Sequence, residues 1–170
     1  MSDLYQAVRG LRASRNFTPE PLDPDHLRLI LEAARWTGSS KNNQDWLFVL
    51  VDDPAAKALL ASAGSFTRPI ENAAAAIALV RLEGGNDFDI GRAAQNIMLA
   101  AEALGVGSCP ITLHDTERAA EVLGLTEGQE AHYAVALGYV DSEAEEAERR
   151  ERRAGGWGGR REDVTSRLED

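Results

Sequence analysis

DIGRAAQNIMLAAEALGVGSCPI, Asp89 to Ile111, contains the change of period on which the reading of the fold turns. Ile90, Ala94, Ile97, Met98, Ala101 and Leu104 recur at helical spacing and mark the longest amphipathic helix in the chain. Gly105 stops that helix, and GVGSCPI reads as a turn followed by a short strand. The same alternation of helix and short apolar strand extends in both directions.

Towards the N-terminus, AAAAIALV (Ala73 to Val80) is ambiguous by periodicity alone, and its length and β-branched positions favour a buried strand. LFVLV (Leu47 to Val51) is a fully apolar strand, and Asp53-Pro54 opens a helix that Gly64 ends. Asp23-Pro24 opens another, with Leu27, Ile30, Leu31 and Ala34 on one face. NFTPEPLDP is too rich in proline to be helical, so a first helix should cover about Asp3 to Leu11. Towards the C-terminus, Asp115 or Thr116 caps a short helix ending at Gly124, and YAVALGYV (Tyr133 to Val140) is a further strand. Helices alternating with short strands predict a two- or three-layer α/β or α+β domain. Residues 1–141 are expected to form it. Residues 142–170 are expected to be a charged extension of the same domain or dimer, beginning with a solvated helix over Glu143 to Arg153. Trp157, Val164 and Leu168 would need the main domain or a second subunit to pack on.

Composition narrows the function. The chain has 170 residues and a formal net charge of −10, which argues against a broad nucleic-acid footprint. No window approaches a membrane span and the opening MSDLYQAVRG has no long apolar run, so a cytoplasmic protein without a leader is expected. Cys109 is the single cysteine and the three histidines are scattered, so neither a disulfide nor a zinc site is expected. There is no GxxxxGK[ST], GxGxxG or GxSxG. With no protein nucleophile to nominate, an enzymatic reading requires a bound cofactor for the hard step.

Two polar stretches stand out. In VRGLRASRNF, Arg9, Arg12 and Arg15 fall three apart. On a helix they would share one face and suit a phosphate, or else form a solvated basic face. GSSKNNQDW, Gly38 to Trp46, carries far more hydrogen-bonding groups than a helix-to-strand turn requires. It reads either as a polar capping loop or as a cradle for a polar heteroaromatic ligand.

In their order along the chain, RASRNF, EPLDPDHLRLILEAARW, SSKNNQDW, DIGRAAQNIMLAAEALGVGSCPI, ALGYV and a late GRR resemble the nitroreductase family of flavin-dependent oxidoreductases. The resemblance implies an α+β sandwich on a mostly antiparallel central sheet flanked by helices, with a C-terminal tail extended towards a partner subunit. It implies FMN at the interface of a homodimer. It also implies hydride passing from NAD(P)H through flavin N5 to an electron-poor acceptor, a nitro compound or a quinone. Carried over by position, Arg12, Ser14 and Arg15 would meet the FMN phosphate or ring. Ser39, Ser40, Asn42 and Gln44 would hold the ribityl and isoalloxazine groups. Ser108, Cys109, Pro110 and Ile111 would lie along the flavin, and Arg160 and Arg161 at its phosphate. Some of these residues would come from the other chain.

The chain also departs from the family pattern. Gly38 and Asp45 replace prolines common in the family loop, and Gly38 would loosen it. Leu11 and Ala13 stand where arginine and serine are frequent, thinning the phosphate cluster. These departures keep two alternatives open: another flavin reaction, such as flavin cleavage or dehalogenation, and a non-catalytic ligand-binding dimer.

Overall fold

Five short polar side chains set where the helices begin. Asp23, Asp53, Asn86, Asp115 and Asp141 each accept a hydrogen bond from a backbone N–H two or three residues ahead. Each satisfies a donor that has no partner inside its helix. The computed structural model of the chain describes residues 3–156. In order these form α1 (Asp3–Gly10), α2 (Pro24–Arg35), a single 3₁₀ turn (Ser40–Asn42), β1 (Trp46–Val51), α3 (Pro54–Ala61) and α4 (Arg68–Asn72). Then come β2 (Ala75–Arg81), α5 (Asp87–Ala103), β3 (Gly107–Thr112), α6 (Thr116–Leu123), β4 (Glu130–Gly138) and α7 (Ser142–Ala154). Trp157, Arg160, Arg161, Val164 and Leu168 lie outside the described residues, and with them the expectation of a tail reaching a partner.

The four strands make one sheet in the order β1-β2-β4-β3, with every pairing antiparallel. Strand alternation sends side chains to two cores. Ile77, Leu79, Val135 and Leu137 face α2 and α5, where Ile30, Ala34, Ile90 and Ile97 meet them. Val51, Val80, Cys109 and Ile111 face the other way, against Leu60, Ile70 and Ala119 of α3, α4 and α6. The result is the expected α+β sandwich of helix, sheet and helix. Each fully buried Ile or Leu contributes roughly 1.5–3 kcal/mol.

AAAAIALV is a strand, as its β-branched positions suggest; both its faces are covered, so it shows no polar alternation. Two expectations need correction. The helix after Asp53 ends at Ala61 and is followed by the separate short helix α4. The first helix ends at Gly10, so Arg12 and Arg15 leave it and do not stack beneath Arg9. The chain turns extended there because it pairs with the sheet: Ser14 N donates to Ser108 O at 2.8 Å, and Thr18 N to Tyr139 O at 2.8 Å. Glycines permit this approach. A Cβ on Gly107 would collide with Val140, and one on Gly138 would come within 3.0 Å of the Phe17 ring. No helix among the described residues is long and apolar enough to cross a membrane.

Candidate functional site

The Arg12–Phe17 segment lies along the start of β3 and brings two groups of expected site residues together. Ser14 and Ser108 meet backbone to backbone and are 6% and 2% exposed. Their neighbour Arg15 is half-buried and lines a cavity of about 240 Å³ with Ser65, Phe66, Arg68, Pro69, Glu148 and Arg152. Arg12 behaves differently. It is exposed, and its Nη1 donates to the carbonyls of Arg9 at 2.7 Å and Leu11 at 2.8 Å.

The walls of this cavity come from elements that sequence patterns did not connect. Glu145 of α7 is only 4% exposed. Its Oε2 accepts from the backbone N–H of Arg15 at 2.7 Å and of Asn16 at 3.1 Å, and its Oε1 from Arg149 at 3.1 Å. One turn on, Glu148 Oε2 accepts from Asn16 Nδ2 at 2.6 Å and Arg68 Nη2 at 2.7 Å, and its Oε1 from Arg152. The charge run is therefore not a freely solvated helix: its acidic face is fastened to the Arg15 segment and to α4. Charge pattern alone marked α7, but nothing in it identified the donors opposite.

β3 carries the second group. Cys109 and Ile111 point into the α3–α4–α6 core. Burial pushes the Cys109 thiol up, partly opposed by the nearby Arg15 and Arg152 charges, which suits a core thiol and not a nucleophile. Pro110 and Thr112 instead edge a cavity of about 380 Å³ with Ile90, Ala94 and Tyr133, between α5 and the sheet. Among the described residues no cluster of histidine, cysteine and carboxylates could hold a metal.

The GSSKNNQD loop is built on α5. Asn96 Nδ2 donates to Thr37 Oγ1 at 2.8 Å, and Arg92 Nη1 to Gly38 O at 2.6 Å. A Cβ on Gly38 would come within 3.1 Å of Arg92 Nη2, so the arginine that holds the loop passes close to this glycine. Ser39 Oγ accepts from Gln44 N at 2.9 Å, and Gln44 Nε2 donates to Asn42 Oδ1 at 2.8 Å. Lys41, Asn42 and Gln44 have φ of 54°, 59° and 58°, in the left-handed region that costs residues with a Cβ. Ser40, Asn42 and Gln44 are nevertheless exposed. A strained, clamped loop with outward amides suits binding better than mere connection. The only sequence signal for Arg92 and Asn96 is their spacing of four on α5.

The two groups sit at opposite ends of the sheet. Ser108 pairs with Leu137 and Leu137 with Ala75, whereas Trp46, at the loop, pairs with Arg81. Ala75 to Arg81 is the length of β2, about 20 Å at the usual strand rise. One chain therefore does not bring the loop residues to Arg15.

Known proteins share this fold. The NADH dehydrogenase of Thermus thermophilus is 28% identical over 181 residues, covering 83% of this chain and 88% of its own. The FMN-dependent nitroreductase of Clostridium difficile R20291 superposes with a TM-score of 0.77 at 26% identity, over 81% of this chain and 88% of its own. Nitroreductase A of Vibrio parahaemolyticus gives a TM-score of 0.79 at 27% identity, over 85% of this chain and 70% of its own. The family model for nitroreductases matches residues 8–88 and 81–139, spanning both cores, the amide loop and β3, so the chain belongs to the nitroreductase family.

Proposed function

We propose that the protein is an FMN-dependent oxidoreductase that takes electrons from NADH or NADPH and delivers them to an electron-poor acceptor of the nitro or quinone class. The observation that carries this reading is Arg15: a guanidinium on a partly apolar cavity, unpaired among the described residues, beside the buried Ser14–Ser108 pairing. The donor set fits FMN. A phosphate and a polar pyrimidine edge need cationic forks and amides offering both donors and acceptors. When bound, FMN supplies two-electron transfer between a nicotinamide and an acceptor, which this chain's side chains cannot perform alone.

The residues then divide the work. Arg15 supplies positive charge to the anionic groups of the cofactor, and Phe66 and Pro69 add apolar surface beside it. Ser39, Ser40, Asn42 and Gln44 offer hydroxyls and amides from a loop that Arg92 and Asn96 hold in place. Because the two groups are about 20 Å apart in one chain, the complete site forms in a homodimer, with the loop of one copy approaching the Arg15 region of the other. Exposed Leu4 and Val8 on α1, Trp36 just after α2 and Phe88 on α5 supply apolar surface for that contact. Oxidation of NADH and NADPH, followed with a nitroaromatic and with a quinone in the presence of FMN, tests the reading. FMN-dependent turnover of either acceptor supports it, and no turnover with any pair refutes it.

A further inference from the structure

The Arg15 cavity carries an imbalance of charge. Arg15, Arg68 and Arg152 line it, and Glu148 is its one carboxylate. Among the lining side chains three cations face one anion, with the Glu145–Arg149 ion pair behind them adding no net charge, in a chain whose formal net charge is −10. Glu148 is saturated by Asn16, Arg68 and Arg152, donors drawn from three separate stretches of chain. Arg15 is not: among the described residues no hydrogen bond or ion pair reaches its guanidinium. Burial pushes the Glu148 carboxyl up, but the hydrogen bonds from Asn16 and Arg68 and the charges of Arg152 and Arg68 outweigh it. The group stays below the usual carboxylate range and is anionic at neutral pH.

The geometry points to Glu148 as an internal stand-in for an anionic ligand group: a phosphate ester binds at Arg15 and takes over Arg68 and Arg152 as Glu148 swings away. Carboxylate and phosphate oxygens match the same guanidinium forks, so the donors that hold one are already aimed for the other. α7 need not leave, because Glu145 anchors it separately through the backbone N–H groups of Arg15 and Asn16. Rotation about the side-chain bonds of Glu148 suffices. The exchange also sets selectivity: a dianion outbids the resident carboxylate at three cations, and a monoanion gains little. Phe66, 79% exposed at the cavity, offers a face to the flat body of such an ester. The site is argued from its own charges, and only the choice of FMN as the ester rests on the proposed function; NADPH carries the same chemistry.

Calorimetric titration of the full chain tests the inference, with wild type, Glu148→Gln and Arg15→Ala each titrated separately with inorganic phosphate, FMN and NADPH. Glu148→Gln should bind phosphate at least ten-fold tighter than wild type, and Arg15→Ala at least ten-fold weaker. Whichever ester follows the same pattern is the natural source of the group. Glu148→Ser, which empties the position, should also tighten binding and serves if the glutamine variant melts early. Binding to both Glu148 variants that is no tighter than wild type overturns the proposal, as does failure of phosphate to bind any form. If phosphate follows the pattern and FMN binds no form, the site stands and the flavin reading falls.

Discussion

Arg12 and Arg15 carry the same charge three residues apart and meet different surroundings. Arg12 folds onto the carbonyls that end α1, while Arg15 is carried by the Ser14–Ser108 pairing to a cavity wall. The sequence shows both arginines and their spacing. It cannot show that the helix ends at Gly10, because that depends on β3, more than ninety residues away, offering its edge. Arg15→Ala should therefore weaken FMN binding at least ten-fold, about 1.4 kcal/mol, and Arg12→Ala less than two-fold; quenching of flavin fluorescence on titration measures both. Equal losses would remove the distinction. In the loop, Lys41 sits at φ 54° and ψ 14° with its backbone in the left-handed region. Lys41→Gly should relieve that strain by about 0.5–1 kcal/mol and raise the melting temperature by roughly 1–4 °C. A lower melting temperature in calorimetry would mean that the loop gains more from the lysine side chain than the strain costs.

Elements with a strong period were the most legible. α5 and α2 and the three strands β1, β2 and β4 fall where apolar spacing places them, because each covers a core on at least one face. α4 was missed because five residues, RPIEN, are too few to display a period. α7 was found but misjudged. Its repeat of glutamate and arginine suits a helix paired only with itself, and the sequence does not reveal that the backbone N–H groups of Arg15 and Asn16 lie opposite Glu145. Among the described residues those two donors have no other acceptor, so Glu145→Ala leaves both unsatisfied beside a buried site. The expected loss is about 2–4 kcal/mol, with Glu145→Gln losing less because it still accepts one bond. Thermal unfolding followed by circular dichroism gives both values, and an alanine variant as stable as wild type would show that α7 does not hold the segment.

At the scale of the whole molecule, the separation of the amide loop from the Arg15 cavity is the observation that calls for a second copy. The resemblance already implied an interface site, but spacing in the sequence could not reveal that the two groups occupy opposite ends of the sheet. That follows from the strand order β1-β2-β4-β3 and its register. Sedimentation of the wild-type chain should give a dimer. Val8→Asp, which charges an exposed apolar position on α1, should shift it to monomer and lower FMN affinity together. A monomer that keeps full affinity would place the entire site in one chain. The most direct test of the central claim is the visible absorbance spectrum of the purified, FMN-reconstituted protein, recorded anaerobically before and after adding NADH or NADPH. A protein-bound flavin spectrum that bleaches with at least one nicotinamide is the predicted result. A protein that retains no flavin, or holds one that neither nicotinamide bleaches, would contradict it.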